Sequence, residues 1–469
     1  MGFKLTGTYT DLYQLAMGEV YFTKGHAKTR AVFDYFFREL PYAGGYAVFA
    51  GLYDLLEIIQ SLHFSEEDLD YLQRQGFRKE YVEYLRDFRF RGTIYASHEG
   101  DVIFPVRPVA WVEGTILEAQ LVETVMLNIL NFQSLVATKA SRMRLVAGEK
   151  SLIDFGLRRA QGLGGYHASR AAIIGGFNAT SNVSVARDYD LNASGTMAHA
   201  YIQAHDTELA AFREFAEARP DRCVLLIDTY NTLQSGLPNA ITVAKEMEHR
   251  GQRLFGVRLD SGDLAYLARH VRQILDKADL SYVKIVASNQ LDEFVIKSLE
   301  EQHAPIDVFG VGTRLVTGQP DAALDGVYKL SLSQDKPRIK ISETLKKVTL
   351  PHRKQVFRVY RDEREFFGAD VIALFGEQKI EEMHHPYEPD KKLSLEGLRQ
   401  EPLLHKVMEN GEILIPKEPL PALAAYCRDQ LTKLPDEYKR FQNSHIYKVG
   451  LSTRLKKERD ELKATYKQK

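Results

Sequence analysis

Four stretches of sequence decide the fold: CVLLIDTYNT (223–232), LFGVRLDSGD (254–263), VKIVASNQLDE (283–293) and IDVFGVGTRLVTG (306–318). Each is a short apolar run that ends in polar residues, and a segment with helical periodicity follows each of the first three. This alternation is typical of parallel βαβ units. In such folds the chemically active side chains collect at the carboxyl ends of the strands.

Polar side chains follow these runs, where each predicted strand ends. They comprise Asp228, Arg258, Asp260, Asp263, Ser288, Asn289 and a glycine-rich turn. Carboxylates can hold ribose hydroxyls or the water shell of Mg²⁺, and an arginine can bind a carboxylate or phosphate with two parallel hydrogen bonds. The set therefore suits a sugar-phosphate ligand accompanied by a divalent metal.

The composition limits the classes of partner. The 62 basic and 63 acidic residues argue against nucleic-acid or membrane-surface binding driven by bulk charge. Cys223 and Cys427 are too few for a disulfide framework or a multi-cysteine metal site. The amino terminus shows no leader pattern, and no apolar run approaches the roughly 20 residues of a membrane span. We therefore expect a cytoplasmic protein.

The 469 residues favour two domains over one. We expect a mixed α/β N-terminal domain over 1–115, with strands in AVFDYFFREL (31–40) and YAVFAGL (46–52). A charged amphipathic region covers 54–88 and short β segments follow over 92–114. Residues 326–469 are expected to form a C-terminal segment that packs with this domain.

The catalytic core is expected over 116–325. It opens with a long helix over 117–148, which ends at Gly148 in the position typical of a helix C-terminus. SLIDFG (151–156) and IIGGFNATSNVSVA (173–186) add strand ends to the four runs. A count of roughly six or seven βα units favours an irregular barrel-like core, with an open doubly wound sheet as the structural alternative.

The segment RLDSGD (258–263) carries three charged groups within six residues. Arg258 can bind a carboxylate or phosphate, while Asp260 and Asp263 can orient ribose hydroxyls or hold waters around Mg²⁺. A simple alternative is that Asp263 caps the following helix. Capping explains one aspartate but not Arg258 and Asp260 together, so a functional role is favoured.

Gly310, Gly312 and Thr313 in FGVGTRLVTG (309–318) follow a predicted strand. Successive backbone N–H groups in a glycine-rich turn can hold an anion, and in barrels such loops often bind phosphate. A plain turn explains two glycines equally well, but the position beside the Asp260 strand favours phosphate binding.

Other candidates are weak when each is taken alone. Phe155 and Arg158 of DFGLRR could stack on and clamp a flat acidic ligand, but a core Phe beside solvated arginines is the better reading. His199 of GTMAH is more often structural than catalytic by composition, and Tyr13 follows Asp11, a plausible helix N-cap.

Together, these segments resemble the nicotinate phosphoribosyltransferase family. The resemblance rests on TDLYQLAMGEVY (10–21), FDYFFRELPYAGGYAVFAGL (33–52), LIDFGLRRAQG (152–162), GTMAHAYIQAH (195–205), LLIDTYNT (225–232), GVRLDSGDL (256–264), FGVGTRLVTG (309–318) and FQNSHIYKVGLS (441–452). They occur in the order of that family and at about its spacing. The resemblance implies an irregular α/β barrel with a second α/β domain.

The resemblance also implies a reaction in NAD salvage. Nicotinate and 5-phosphoribosyl-1-pyrophosphate (PRPP) give nicotinate mononucleotide and pyrophosphate, with ATP hydrolysis coupled through a phosphohistidine and with Mg²⁺ present. His199 matches the phosphorylated histidine. ATSN (179–182) lacks an aspartate that the nicotinamide-specific relative carries, which favours a carboxylate substrate.

Roles for individual residues follow from the same resemblance and from the strand ends. Asp260 and Asp263 join His199 as catalytic candidates and as possible metal ligands. The candidates for substrate binding are Tyr13, Phe155, Arg158, Thr196, Arg258 and Asp228, and those for binding PRPP phosphates are Ser261, Gly262, Gly310, Gly312 and Thr313. Tyr13 is expected to reach the site of a second subunit, which implies a homodimer.

Alternative functions remain open at this point. The same fold could use nicotinamide or quinolinate as the acceptor, or the chain could be a non-catalytic regulator that binds PRPP. A barrel aldolase is less consistent with the sequence because no Lys is evident at a strand end as a Schiff-base nucleophile.

Overall fold

This computed structural model describes residues 5–344 and 347–467. Within these ranges the strands are β1 (Arg30–Phe37), β2 (Ala47–Val48), β3 (Thr93–Ala96), β4 (Val102–Ile103), β5 (Ala110–Thr115), β6 (Ser151–Asp154), β7 (Ala179–Thr180), β8 (Val224–Leu226), β9 (Gly256–Leu259), β10 (Lys284–Ser288), β11 (Val308–Val311), β12 (Gly326–Ser333), β13 (Lys336–Pro337), β14 (Lys354–Tyr360), β15 (Phe366–Leu374), β16 (Glu382–His384), β17 (Lys392–Ser394), β18 (Arg399–Pro402), β19 (His405–Glu409), β20 (Glu412–Ile413) and β21 (Lys448–Ser452).

The α-helices in the same ranges are α1 (Leu12–Thr23), α2 (Leu52–Ser61), α3 (Glu66–Arg74), α4 (Lys79–Arg86), α5 (Ile116–Leu121), α6 (Glu123–Ala147), α7 (Leu163–Ile174), α8 (Val183–Asp188), α9 (His199–Gln203), α10 (Glu208–Ala218), α11 (Leu237–His249), α12 (Leu264–Lys277), α13 (Glu293–Glu301), α14 (Thr313–Val316), α15 (Leu420–Lys433), α16 (Asp436–Lys439) and α17 (Thr453–Lys467).

The chain divides into two compact units. Met1–Leu135 and Ala323–Lys469 form the terminal unit, and Val136–Ala322 forms the central unit. The first junction lies at 135/136 rather than at the expected 115/116. The reason is that the first half of α6 supplies Val125, Met126, Ile129 and Leu130 to the apolar core of the terminal unit.

An antiparallel sheet organises the terminal unit. Its order in the described residues is β13-β12-β1-β5-β3-β19-β20, so strands from the C-terminal segment flank β1, β5 and β3 on both sides. A second sheet has the order β17-β16-β21-β15-β14-β18. The strand expected over 46–52 is only the two residues of β2, which pair with the equally short β4, and α2 begins after Gly51.

The central unit contains the parallel sheet that the four apolar runs predict. Its order is β7-β6-β11-β10-β9-β8, and the runs form β8, β9, β10 and β11. The strand pairings in this sheet are parallel. In the described residues β7 and β8 form its two edges, so the sheet is an open half-barrel. The predicted α/β class with a barrel-like core is confirmed.

One helical region, Ile116–Ala147, is long and apolar enough to cross a membrane by length and composition. Of its most apolar window, 67% is buried within the fold. A buried helix of this kind is typical of a protein core.

Candidate active site

The carboxyl ends of the central sheet bring the predicted polar residues to one edge. Asp228 lies two residues after β8, Asp260 directly follows β9, and Ser288 is the last residue of β10. Neighbouring parallel strands lie about 5 Å apart. Their terminal side chains therefore come within hydrogen-bonding range of one another.

Arg258 is held by three acceptors within the central unit. Its Nε donates to Ser288 Oγ, its Nη1 to Thr196 Oγ1 and its Nη2 to Asp260 Oδ1, each at 2.9 Å. A guanidinium carries five N–H groups. Within the described part of the chain, one N–H on each terminal nitrogen is therefore left without a protein acceptor. Such a pair matches the two oxygens of a carboxylate.

Asp260 is a half-buried carboxylate that stays ionised. Burial raises its pKa, but hydrogen bonds from Ser288 and Arg258 outweigh burial and hold the pKa below the ordinary value of an aspartate. Both donors bind Oδ1, whereas Oδ2 lies 3.8 Å from Nε2 of His199. Neither donor binds Oδ2, so this oxygen is able to accept from a ligand.

Asp228 connects the loops after β8 and β9. Its Oδ2 accepts hydrogen bonds from the backbone N–H of Asp260, at 2.8 Å, and from Ser261 Oγ, at 2.6 Å. Its side chain is 1% exposed, and Oδ1 has no hydrogen-bond partner in the described residues. A buried carboxylate oxygen without a donor is costly. A cation or a hydroxyl group of a ligand would satisfy it.

His199 begins α9 and lies beside both carboxylates. Its Nδ1 is 3.1 Å from Thr229 Oγ1, and its Nε2 is 4.0 Å from Asp228 Oδ1. The side chain is 40% exposed, so a ligand can reach Nε2. The imidazole is therefore oriented on one side by a hydroxyl and surrounded by negative charge on the other.

Phe155 lies next to Arg258, with the guanidinium carbon 5.3 Å from the ring centroid. Gly310 lies in β11 against the ring, because a Cβ at that position would approach Phe155 Cε2 to 2.3 Å. Gly156 is equally constrained, since its Cβ would meet Val316 Cγ1 at 2.1 Å. Gly310 thus leaves room for the aromatic ring, and Gly156 lets the backbone after the ring pack against Val316.

Asp154, the residue before Phe155, is a buried anchor for this turn. Its Oδ1 accepts from the Gly156 N–H, and its Oδ2 accepts from the hydroxyls of Ser169 and Thr180, each at 2.7 Å. Burial raises the pKa of Asp154 despite these three donors. The carboxyl group ties the turn after β6 to α7 and to the end of β7.

Several predicted site residues do not join this network. Asp263 accepts a hydrogen bond from the Tyr266 N–H and caps α12, as the simpler reading anticipated. Arg158 is exposed, and the described residues include no side-chain partner for it. Gly262 turns the loop with a φ of 77°, and Gly312 and Thr313 begin the short α14. Tyr13 lies on α1 in the terminal unit, half exposed.

Residues outside the predicted site list also take part. Ser288 and Thr229 bind Arg258 and His199 directly, and Asp154 supports Phe155. The position of Ser288 at the end of an apolar run was visible in the sequence. Its hydrogen bonds were not, because they depend on the pairing of β9 with β10.

Comparison with known proteins agrees with the geometry. Three family models match the chain: the nicotinate phosphoribosyltransferase N-terminal domain over residues 8–131, the nicotinate phosphoribosyltransferase family over 150–364, and the nicotinate phosphoribosyltransferase C-terminal domain over 353–459. Nicotinate phosphoribosyltransferase of Bacillus subtilis is 42% identical, and the match covers 95% of this chain and 92% of that protein. The Dictyostelium discoideum enzyme of the same name is 35% identical over 96% of this chain and 87% of that protein.

Solved structures show the same fold. Human nicotinic acid phosphoribosyltransferase superposes with a TM-score of 0.87 at 30% identity, and the match covers 97% of this chain and 99% of that one. The nicotinate-nucleotide pyrophosphorylase of Pyrococcus furiosus has a TM-score of 0.72 at 24% identity, covers 91% and 95% of the two chains, and shows the fold alone. On this basis the chain belongs to the nicotinate phosphoribosyltransferase family.

Proposed function

We propose that this chain joins nicotinate to PRPP, and that it couples the reaction to ATP hydrolysis through His199. Phosphoribosyl transfer follows from family membership. The choice of nicotinate as acceptor rests on Arg258. Three hydrogen bonds hold its guanidinium and leave one N–H on each terminal nitrogen for a carboxylate. A carboxamide is neutral and offers a single oxygen, so it lacks both the charge and the two-oxygen geometry that make a carboxylate the stronger partner of a guanidinium.

The chemistry is displacement at the anomeric carbon of PRPP. The ring nitrogen of nicotinate forms the new bond to this carbon, and pyrophosphate leaves with the electron pair of the broken C–O bond. Positive charge develops on the ribose in the transition state, as in glycosyl transfer generally. Asp260 Oδ2 is an ionised oxygen able to stabilise that charge or a ribose hydroxyl. Because the ring nitrogen is itself the nucleophile, the enzyme needs no general base.

The remaining substrate contacts are proposals of the same kind. Phe155, packed against Gly310, would supply a flat surface for the pyridine ring, and Arg158 and Thr196 are proposed as further contacts. Asp228 would accept a ribose hydroxyl. For the phosphates of PRPP we propose Ser261 and Gly262 on one loop, and Gly312 and Thr313 with neighbouring Gly310 on another. Asp263 shares the first loop, but its capping bond to α12 supports only an indirect role.

ATP coupling is assigned to Nε2 of His199. Thr229 holds Nδ1, so Nε2 is the nitrogen open to a ligand. Transfer of the terminal phosphoryl group of ATP would form an N–P bond at Nε2 and release ADP. Hydrolysis of that bond would then release phosphate. The phosphoryl group adds negative charge beside the site, and coupling results if this form binds PRPP differently from the free imidazole.

The residues fit Mg²⁺ as a companion of PRPP. In the ranges 5–344 and 347–467, no group of three His, Cys, Asp or Glu residues is arranged as a metal cage. Mg²⁺ often binds through one or two carboxylates, several waters and the phosphates of its substrate. Oδ1 of Asp228 has no hydrogen-bond partner in the described residues, and Oδ2 of Asp260 receives no bond from Ser288 or Arg258, so these oxygens suit this mode better than Asp263 does. When bound, Mg²⁺ would neutralise the charge of the departing pyrophosphate.

Exposed apolar side chains support a homodimer. On α1, Leu12, Tyr13, Met17 and Val20 are 38–68% exposed. Around the carboxyl edge of the central sheet, the loops and first helical turns after the strands present Leu157, Val183, Tyr230, Tyr266 and Phe294, each 41–70% exposed. Apolar side chains that form a continuous exposed patch mark an interaction site. We propose that α1 of one copy covers the site edge of a second copy, which brings Tyr13 to the partner's pyridine pocket.

The decisive assay measures pyrophosphate release. Purified protein is incubated with PRPP and Mg²⁺, with nicotinate, nicotinamide or quinolinate, and with or without ATP. We expect release with nicotinate and stimulation by ATP. Tight PRPP binding without release of its pyrophosphate in the presence of any acceptor would favour the regulator, and preference for another acceptor would overturn the assignment to nicotinate. Fractionation of cells that express the protein tests the proposed cytoplasmic location.

A further inference from the structure

We propose that Ser288 is a positioning residue that aims the Arg258 guanidinium at the carboxylate of the acceptor. The inference rests on the proposed role of Arg258 and extends it to a residue that does not touch the substrate. Ser288 ends β10 and is 2% exposed. A hydroxyl buried at the end of a strand in the site edge requires partners, and here both partners are site residues.

The hydrogen bonds of Ser288 leave its proton no role toward a ligand. Oγ accepts from Arg258 Nε at 2.9 Å and donates to Asp260 Oδ1. The carbonyl of Leu259 is a second possible acceptor at 3.4 Å. This contact is longer and its acceptor is uncharged, so the Ser288 hydroxyl donates its hydrogen bond to Asp260. Ser288 therefore acts through Arg258 and Asp260.

Strand register explains why position 288 has this effect. In the parallel pairing of β9 with β10, Arg258 lies opposite Val286 and Leu259 opposite Ala287. Side chains alternate between the two faces of a sheet. Arg258 and Asp260 therefore share one face of β9, and Ser288 stands beside them on the corresponding face of β10.

The three acceptors of Arg258 differ in rigidity. Ser288 is on a hydrogen-bonded strand, whereas Thr196 lies in the loop before α9 and donates its own proton to the Met197 carbonyl at 3.2 Å. A group on a regular element holds its position more accurately than one on a loop. The Ser288 hydroxyl therefore fixes the plane of the guanidinium, and Thr196 provides a second hydrogen bond that holds it.

The test compares side chains of matched shape at position 288. Thr and Val have nearly the same volume and β-branching, but only Thr carries the hydroxyl. Ser288→Thr, Ser288→Val and Ser288→Ala are assayed for KM of nicotinate, KM of PRPP and kcat, and for the ratio of kcat/KM between nicotinate and nicotinamide. Arg258→Ala and the double variant Arg258→Ala/Ser288→Ala complete the set.

We expect Ser288→Val and Ser288→Ala to raise the KM of nicotinate roughly 10- to 100-fold, as for loss of a hydrogen bond to a charged group. The preference for nicotinate over nicotinamide should fall, and Ser288→Thr should keep most of the wild-type value because it keeps the hydroxyl. In the Arg258→Ala background, Ser288→Ala should add little further loss.

Two results would separate this inference from the proposed role of Arg258. If Arg258→Ala leaves the nicotinate KM unchanged, the role of Arg258 fails and the inference fails with it. If Arg258→Ala raises that KM while Ser288→Val and Ser288→Thr behave alike, the inference alone is overturned. The double variant keeps the proposal testable even where a bulkier side chain at position 288 impairs folding.

Discussion

A Cβ atom on Gly310 would lie 2.3 Å from Cε2 of Phe155, so the aromatic ring occupies the space that any side chain at position 310 would need. The sequence predicts that Gly310 lies in a phosphate-binding turn. In the structure it lies within β11, and its lack of a side chain serves the proposed pyridine pocket directly.

Gly310→Ala should therefore impair catalysis through Phe155. The added methyl group displaces the ring, and a misplacement of about 1 Å at a reacting centre can reduce the rate about 100-fold. We expect kcat/KM for nicotinate to fall by roughly one to two orders of magnitude, measured by pyrophosphate release. Gly114→Ala is the control, because its Cβ would meet only ordinary contacts of 3.4 Å or more. Equal activity of both variants would contradict the packing argument.

His199→Ala should abolish the stimulation by ATP while keeping some synthesis without ATP. The imidazole is the proposed phosphoryl acceptor, whereas the bond to PRPP is formed by the pyridine nitrogen. The measurement is pyrophosphate release with and without ATP, together with acid-labile labelling of the protein by ATP. His205→Ala is the matched control, since His205 follows the same helix and binds Glu214 outside the site. Unchanged ATP stimulation in His199→Ala would remove the assignment.

Arg258→Lys should not rescue the loss in Arg258→Ala. Lysine keeps the positive charge but not the planar fork that three acceptors hold in place. We expect both variants to raise the KM of nicotinate by roughly 100-fold or more, as for loss of a charged bidentate contact. Steady-state kinetics at saturating PRPP measures the KM of nicotinate for both variants. A lysine variant close to wild type would show that charge alone suffices.

Mixing two inactive variants should restore activity if the site is shared between copies. Tyr13→Ala and Arg258→Ala damage residues from different units of the chain, so a mixed dimer contains one site with both changes and one site with neither. Subunit exchange at equal amounts should recover about a quarter of wild-type activity, because half of the dimers are mixed. Sedimentation analysis measures the dimer in parallel. A monomer, or a mixture without recovery, would contradict the shared site.

Glu113→Gln should change how stability depends on pH. Glu113 is buried on β5 and accepts hydrogen bonds from Arg353 at 2.5 and 2.7 Å and from Arg30. Burial raises its pKa, but the two arginines outweigh burial and hold the pKa below the ordinary value. A depressed folded pKa gives stability that is present above the unfolded pKa, about 4.3, and that is lost as pH falls through the folded value.

The variant should therefore be less stable by roughly 2 kcal/mol at pH 7, and the difference should shrink below about pH 4. Thermal unfolding between pH 3 and pH 7, scanned in steps of about one pH unit, measures how the stability of the wild type and of the variant depends on pH. Glu409→Gln is the control, because its ion pair with Lys406 on β19 is exposed and contributes little. A constant difference at every pH would show that packing rather than charge accounts for the loss.

The sequence predicted the central sheet well because each strand carries its own local signal. Apolar runs such as CVLLI are buried on both faces of a parallel sheet, and their polar ends mark the site edge. The prediction of β2 was less accurate because the length of this strand depends on its pairing with the two-residue β4, which is distant in the sequence. Asp11 stands at the predicted cap position of α1, but its side chain makes no capping hydrogen bond.

The site itself was only partly predictable. Arg258, Asp260 and His199 were chosen from their motifs, and the structure brings them together. The roles of Ser288 and Asp154 depend on which strands are neighbours and on register. Those relationships join residues far apart in the chain, and no local pattern in one sequence encodes them.

The arrangement of the terminal sheet determines when its strands can pair during synthesis of the protein. The strands made first, β1, β5 and β3, gain their lateral neighbours β12 and β19 only after the ribosome has passed residues 333 and 409. Until then the nascent chain carries two open β edges, which invite intermolecular pairing. The half-barrel, whose strands all lie between 151 and 311, can close its hydrogen bonds earlier. Chaperone contacts and aggregation during translation should therefore concentrate on the first 135 residues, although these residues are synthesised first.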